Sequence, residues 1–341
     1  MCPLIDDVGS FPLPKEVNRE TFTQAYLKTR EAIINRKDPT IDEFLQKNFC
    51  QVVIDSFRKK LACDLDVITF PQQFNGLRQI GDAVHEAMTH GSFVVDTEKA
   101  VLPEIYVLNK YAKELSEEFG KKILLRVCIF GPLEQYIHEI GTVAYPDVVE
   151  GFAETINRFA KNAILNNKYI ETRVISIDEP SYGHTNLSTT PELVVKTLQK
   201  AYDFHGPTRQ IHLHFTSGIR NLTNVKNLDV LSFEYAASPK NINDIPKSIL
   251  EENDKQIRVG IARTDIDTIW AEACEKGFER PNTEQLVEPI ETIHKRYLTV
   301  KEKYGETLTF TGPDCGLGSW PSQDAAALVL KRTVEAVKTV Y

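Results

Sequence analysis

The sequence predicts an α/β protein folded as a (β/α)8 TIM barrel, in a single domain over residues 1–341. Three observations predict this fold: eight short apolar runs have the length of strands, helical patterns lie between them, and 341 residues suit one large barrel. Hydrophobic residues make up 42% of the chain, which is enough to build a buried core and excludes an extensively disordered protein.

The eight predicted strands are near-continuous apolar runs, which are typical of parallel strands covered by helices. They are residues 4–10, 65–70, 123–130, 173–178, 210–215, 228–234, 257–262 and 308–314. No internal repeat, low-complexity tract or Gly/Ser linker divides the chain. The order of strands and helices therefore favours one closed barrel.

The helical segments between the strands are recognised by apolar residues that recur three or four positions apart. One begins with a predicted capping box, Thr40 to Glu43, and the last runs from Gln323 to the C-terminus. Residues 12–40 and 81–101 are longer than ordinary connections, and we expect extra helices or a hairpin over the barrel mouth there. Three apolar stripes support the helices: Leu45, Phe49, Val53 and Phe57; Phe152, Ile156, Phe159 and Ala163; Ile290, Ile293 and Tyr297.

Composition excludes several classes of partner. The formal net charge is −8 and no basic cluster is present, which argues against binding to nucleic acid or to an anionic membrane surface. No signal peptide is recognised, and no apolar run approaches the roughly 20 residues of a membrane-spanning helix. Six dispersed cysteines without a CxxC pair favour a reducing, cytoplasmic location.

In a barrel of this kind the active site lies at the carboxyl ends of the strands. Alternation along the fifth strand places His212, His214 and Thr216 on the inward face and Phe215 toward the helices. Buried histidines need partners, which can be hydrogen-bonding groups of the core or a bound ligand such as a metal ion. This strand alone does not distinguish a structural role from a binding role. The polar residues at the strand ends are Ser10, Gln72, Gln73, Asp178, Glu179, His212, His214, Glu234, Asp265, Asp267, Asp314 and Cys315.

Polar residues at two further strand ends favour a metal-binding role for these histidines. Glu234 ends the sixth strand, where a buried carboxylate must be paired or bound to a metal, and Cys315 follows the eighth. Imidazole, carboxylate and thiolate at one end of a barrel form a zinc ligand set that leaves a position open for substrate.

Five motifs, taken in order, resemble the catalytic barrel of the cobalamin-independent methionine synthase family. They are GSFP at 9–12, IDEP at 177–180, IHLH at 211–214, the glutamate after DVLSF, and PDCGL at 313–317. The resemblance extends from about Val8 to the end of the chain. It covers only the catalytic barrel and no part of the N-terminal barrel of the full-length enzymes, so the chain resembles the short, core-type members.

This resemblance implies a zinc-dependent methyltransferase that transfers a methyl group to the thiol of homocysteine and gives methionine. It implies that one zinc ion is bound by His214, Glu234 and Cys315. It also implies that Ser10 binds the carboxylate of the amino acid and that Asp178 binds its ammonium group.

Three departures from the family's pattern qualify this expectation. Thr216 stands where the family has a further cysteine ligand, so the metal would have three protein ligands, recruit His212, or be lost. Gln72 stands where the family has a glutamate that contacts the substrate, and we expect Gln72 to bind substrate in its place. Asp267 takes the place of the histidine that protonates the leaving folate.

The methyl donor expected from these departures is methylcobalamin carried by a corrinoid protein, rather than methyltetrahydrofolate. Asp178 and Asp267 are the expected catalytic carboxylates. Two alternatives stay open: a related alkyltransferase that acts on another small thiol, such as coenzyme M, and a metal-free barrel with a binding role.

Overall fold

The computed structural model describes residues 2–339, and all eight predicted strands are present in one parallel sheet. The sheet order is β1-β8-β7-β6-β5-β4-β3-β2, and a parallel bridge between Asp6 and Val67 joins the two edges. The predicted (β/α)8 fold is confirmed. The strands are β1 (Leu4–Ile5), β2 (Ile68–Thr69), β3 (Ile123–Phe130), β4 (Ile170–Asp178), β5 (Thr208–Leu213), β6 (Val230–Phe233), β7 (Gln256–Ala262) and β8 (Leu308–Pro313).

Helices surround this sheet, and a π-helical turn, Gln46–Cys50, joins the second to the third. Within the described residues, none of these helices combines the length and the hydropathy needed to cross a bilayer. Val340 and Tyr341, the end of the predicted last helix, lie outside the described residues. The helices are α1 (Arg19–Ile34), α2 (Glu43–Leu45), α3 (Gln51–Leu61), α4 (Gly76–Met88), α5 (Pro103–Phe119), α6 (Pro132–Glu139), α7 (Pro146–Asn162), α8 (Pro191–Ala201), α9 (Ile219–Leu222), α10 (Lys247–Glu252), α11 (Ile266–Glu275), α12 (Thr283–Leu286), α13 (Ile290–Tyr304) and α14 (Gln323–Lys338).

The predicted capping box at Thr40 is wrong. Asp38 accepts the backbone N–H of Thr40 at 3.0 Å, and Asp42 caps α2 by accepting the N–H of Leu45 at 3.0 Å. A carboxylate is the stronger acceptor at the positive end of a helix, so the two aspartates take the capping positions. The apolar stripe that follows is buried as predicted, with Phe49 fully enclosed.

The two long segments add helix to the outer layer and no hairpin. Residues 12–40 contain α1, which packs against α5 and the π turn. Residues 81–101 hold the rest of α4 and a 3-10 turn, Thr97–Lys99, with no strand among the residues described there. Of the two alternatives expected for these segments, extra helix is therefore present, and no hairpin occurs among the residues described there.

The interior of the barrel is layered along the strands. An apolar cluster of Val67, Val174, Val230 and Phe310 fills its base. The next inward positions carry charge: Arg126 and Arg258 each donate to Asp6 at 2.6 Å, and all three residues are fully buried. Above this network Arg126 donates to Ser176 at 2.9 Å and Arg258 to Ser232 at 3.4 Å. Because inward positions recur every second residue, Asp178 and Glu234 follow these serines toward the carboxyl ends of the strands.

Candidate metal centre

The carboxyl ends of β5, β6 and β8 bring four potential metal donors within 4.8 Å of one another: His212, His214, Glu234 and Cys315. Nε2 of His214 lies 3.4 Å from Sγ of Cys315 and 3.5 Å from Oε1 of Glu234. Two donors bound to one tetrahedral zinc ion lie roughly 3.3–3.8 Å apart, as follows from bond lengths of about 2.0–2.3 Å. The separations therefore suit one shared ion.

The electrostatics of these groups also suit a cation. Burial raises the pKa of the Cys315 thiol well above its usual range, and the Glu234 carboxylate adds to that rise. Burial also raises the pKa of Glu234 to about 8, with Asp314 contributing. It lowers the pKa of His214. A divalent ion would reverse these tendencies at the two acids, because metal-bound thiols and carboxylates are deprotonated.

Asp314 holds two of the donors in register. Its buried carboxylate accepts the backbone N–H groups of residues 235–237 at 3.0, 2.9 and 2.7 Å. This ties the segment after Glu234 to the end of β8, one residue before Cys315. Gly260 on β7 permits the contact, since a Cβ atom there would lie 2.2 Å from Oδ1 of Asp314.

Asn241 connects the other pair of donors. Its side-chain Nδ2 donates to the carbonyl oxygens of His214 at 3.0 Å and of Glu234 at 2.8 Å. One amide thus fixes the ends of β5 and β6 relative to each other. No motif in the sequence identified this residue, because it lies in the 3-10 turn Pro239–Asn243, well after β6.

The predicted side-chain directions of Thr216 and Phe215 are wrong. The hydroxyl of Thr216 donates to Asn241 at 3.1 Å and to the carboxylate of Asp244, outside the group of donors. Phe215 is 41% exposed and stacks on His184 with ring centroids 4.7 Å apart. The alternation fails because β5 ends at Leu213, so the following residues no longer have strand geometry.

A cavity of about 250 Å³ opens beside the donors. That volume is near the small end of ligand pockets, which begin at about 300 Å³. Among the described residues that line it there is no lysine and no arginine. The predicted site residues on its wall are Ser10, Gln72, Asp178, His214 and Cys315.

Ser10 is tied to the loop after β8. Its hydroxyl oxygen accepts the N–H of Gly318 at 3.1 Å, and its carbonyl accepts that of Leu317 at 2.7 Å. A Cβ atom at Gly316 would lie 2.4 Å from that hydroxyl oxygen, so glycine is required in the PDCGL motif. The hydroxyl hydrogen of Ser10 remains able to donate to a ligand.

The side-chain amide of Gln72 is oriented by a relay of hydrogen bonds that runs through Gln79 to Glu104. Nε2 of Gln79 donates to both carboxyl oxygens of the fully buried Glu104, at 3.3 and 3.2 Å. Oε1 of Gln79 therefore faces Gln72 and accepts from its Nε2 at 3.4 Å. This leaves the carbonyl oxygen of Gln72 as its acceptor for a ligand. Sequence reasoning missed Gln79 and Glu104, which have no motif of their own.

Asp178 is buried beside the cavity and is held by Ser176 and Cys128. It accepts from Oγ of Ser176 at 2.6 Å and from Sγ of Cys128 at 2.9 Å. Burial raises its pKa, and the nearby Arg126 guanidinium opposes that rise. Asp267 is not brought to this site: it is exposed in the first turn of α11 and does not line the cavity.

Comparisons with known proteins bear on the fold. No family model matches this sequence, and no curated protein matches it. A solved B12-independent methionine synthase from Shewanella sp. W3-18-1, in complex with selenomethionine, is similar over 99% of this chain and 97% of its own, with a TM-score of 0.60 at 14% identity.

A candidate vitamin-B12-independent methionine synthase from Listeria monocytogenes is similar over 98% of this chain and 99% of its own. Its TM-score is 0.52 and its identity is again 14%. Likeness at this identity shows a shared fold over nearly the whole of each chain.

Proposed function

We propose that this protein is a zinc-dependent methyltransferase that moves a methyl group to the thiol of homocysteine and gives methionine. The observation that carries the proposal is the set of imidazole, carboxylate and thiol donors beside a cavity that also exposes Asp178 and Ser10. The names of the two solved structures with this fold support the same activity, and one of them holds selenomethionine, an amino acid of matching size and shape.

His214, Glu234 and Cys315 would hold the zinc ion. A bound zinc would keep a coordinated thiol deprotonated at neutral pH and so make it nucleophilic. The residues of the cavity would position the rest of the substrate. Asp178 and the carbonyl oxygen of Gln72 would accept from the ammonium group, and the Ser10 hydroxyl would donate to the carboxylate.

The reaction forms one bond and breaks one. The sulfur supplies the electron pair of the new S–CH3 bond, the bond between the methyl group and its donor breaks, and that pair leaves with the donor. The thiol proton is lost to solvent. The donor proposed here, methylcobalamin, differs from what the B12-independent names of the two solved structures indicate. It is proposed because the departing cob(I)alamin keeps the electron pair on cobalt and needs no proton, whereas an N-methyl folate must be protonated as it leaves, and Asp267 does not line the cavity.

The acceptor is favoured to be an amino acid. Coenzyme M carries a sulfonate, and no lysine or arginine lines the cavity to bind it among the described residues. The carboxylate of Asp178 and the oxygen of Gln72 both suit a cationic group instead. Gln72, which stands where the family has a glutamate, carries one negative charge fewer than that residue, but its carbonyl oxygen can still accept a hydrogen bond.

The test is an assay of the purified protein with zinc, homocysteine and either methylcobalamin or methyltetrahydrofolate. We expect methionine from the methylcobalamin reaction. Methionine from methyltetrahydrofolate alone would refute the corrinoid donor but keep the methyltransferase. A protein purified without chelators that contains no metal and transfers no methyl group would favour the metal-free binding role.

A thiol panel tests the acceptor separately. Homocysteine is compared with 3-mercaptopropylamine, which lacks the carboxylate, with 4-mercaptobutanoate, which lacks the amine, and with coenzyme M. We expect homocysteine to be the best substrate, and Asp178→Asn to raise its KM much more than that of 4-mercaptobutanoate. Preference for coenzyme M would overturn homocysteine as the acceptor.

A further inference from the structure

Nε2 of His212 is a buried polar atom without a partner among the described residues. The residue is 1% exposed and lies on the wall of the cavity beside the donors. Leaving such an atom unpaired costs about 1–3 kcal/mol. His212 also offers one of the four donor atoms that lie within 4.8 Å of one another, which indicates that its partner belongs in the group of donors.

Thr216 cannot supply the missing donor. Its hydroxyl is engaged by Asn241 and Asp244, and the same Asn241 fixes the carbonyl of His214. Turning Thr216 toward the donors would break both contacts of its hydroxyl. The chain therefore offers His212 from within β5 as the next available ligand.

We infer that His212 is a fourth protein ligand of the metal, bound through Nε2. This inference rests on the proposed zinc site, and it gives that site two imidazoles, one carboxylate and one thiolate. Nδ1 of His212 lies 3.0 Å from Oγ of Ser232, which it can reach with its own N–H. A proton on Nδ1 leaves the lone pair on Nε2, and a hydrogen bond of this kind is what metal-binding histidines commonly make.

The charged layer beneath supports this arrangement. Nη1 of Arg258 donates to Oγ of Ser232 at 3.4 Å, and in the inferred tautomer the Nδ1–H of His212 would donate to the same oxygen. Arg258 is in turn anchored on Asp6 at 2.6 Å. Ser232 is thus a positioning residue for the imidazole and does not touch the metal itself.

The inferred ligands predict the number of sulfur atoms bound to the metal, called here the sulfur count. Before any thiol is added, the metal would have one sulfur neighbour, Cys315, at about 2.3 Å, and only nitrogen and oxygen donors otherwise. X-ray absorption of the zinc-loaded protein measures this count directly, without turnover. Addition of homocysteine should raise it to two.

Three variants and a control test the role of His212 by zinc affinity, measured in competition with a chromophoric chelator. His212→Ala should weaken zinc binding at least 100-fold, and Ser232→Ala by about 10–100-fold. His212→Cys should keep the metal and raise the sulfur count to two in the absence of thiol. His184→Gln, at an exposed histidine near the mouth, should change neither.

Each other outcome has one meaning. Wild-type zinc affinity in His212→Ala overturns this inference but leaves the proposed function intact. The inference is also overturned if that variant keeps its zinc and loses only affinity for homocysteine, which would make His212 a hydrogen-bond donor to the substrate. A wild-type protein that binds no zinc instead refutes the proposed function. If His212→Ala fails to fold, His212→Cys and Ser232→Ala still decide the question.

Discussion

Two groups of buried polar residues lie one above the other in this barrel, and they differ in whether their charged groups are already paired with each other. The lower group pairs Arg126 and Arg258 with Asp6 at 2.6 Å each. In the upper group Nε2 of His214 lies 3.4 Å from Sγ of Cys315 and 3.5 Å from Oε1 of Glu234, and Nε2 of His212 has no partner among the described residues.

The difference distinguishes a structural role from a binding role. Ion pairs that are satisfied by protein atoms stabilise the fold only as long as every partner is present. In the proposed function, the upper group, whose acids are pushed toward their neutral forms by burial, would gain its partner from a bound cation. Removing a residue of the lower group should therefore lower the stability of the protein. Removing a residue of the upper group should instead weaken metal binding and leave the fold intact.

The largest effect is expected from Asp6→Asn. It leaves two buried guanidinium groups without their shared carboxylate, and breaking a buried pair costs about 3–5 kcal/mol. Urea unfolding measures the loss, with Asp82→Asn as a control in the exposed pair Arg78–Asp82, where the change should stay below about 1 kcal/mol. Equal losses in the two variants would contradict a structural role for Asp6.

Glu104 shows how burial changes the pKa of a carboxylate that lies outside the group of donors. Burial raises its pKa to about 8 from an ordinary 4.5, a value like that of Glu234. The folded protein then holds a proton that the unfolded chain releases, so stability should be highest below pH 4.5 and decline until about pH 8. Within that window this residue should lower the free energy of unfolding by about 1.4 kcal/mol for each pH unit.

Urea unfolding at several pH values, with Glu104→Gln beside the wild type, isolates this contribution. The variant should show a flatter pH profile over that window. An identical slope in both proteins would mean that Glu104 is ionised in the folded state.

Cys315→Ala should empty the upper group without unfolding the protein. We expect a loss of zinc affinity of at least 100-fold, which corresponds to about 2.7 kcal/mol, and no loss of stability in the metal-free protein. Zinc competition and urea unfolding measure the two quantities. Cys274→Ala, at an exposed cysteine of α11, is the matched control. Loss of folding in Cys315→Ala alone would mean that the thiol serves packing.

The smallest effect is expected from Asn241→Ala. It removes the donor to the carbonyls of His214 and Glu234, so zinc should bind about 10-fold more weakly. Asn243→Ala, an exposed asparagine of the same 3-10 turn, should have no effect. Unchanged affinity in Asn241→Ala would show that the strand ends alone align the donors.

Much of this molecule could be predicted because the relevant signals are local or periodic. Buried parallel strands are apolar throughout, so all eight were recognisable. Their ends then indicated His214, Glu234 and Cys315, because the carboxyl ends of barrel strands meet at one mouth. The proposed roles of these residues remain predictions.

The errors arose where a contact from a distant segment decided the local geometry. Alternation was carried past Leu213, but Asn241 and Asp244, from the turn after β6, hold Thr216 away from the donors. Asp267 was placed at the mouth by its distance from β7, yet α11 begins at once and carries it to the surface. The relay from Gln72 to Glu104 joins residues 32 positions apart and leaves no sequence pattern.

By itself, the sequence determined the barrel and the kinds of donor at its mouth, because strand period and burial are written in residue order. Only the tertiary structure decided that His212, rather than Thr216, faces those donors. That choice depends on hydrogen bonds of Thr216 to Asn241 and of His212 to Ser232, and these partners become neighbours of β5 only in the folded sheet.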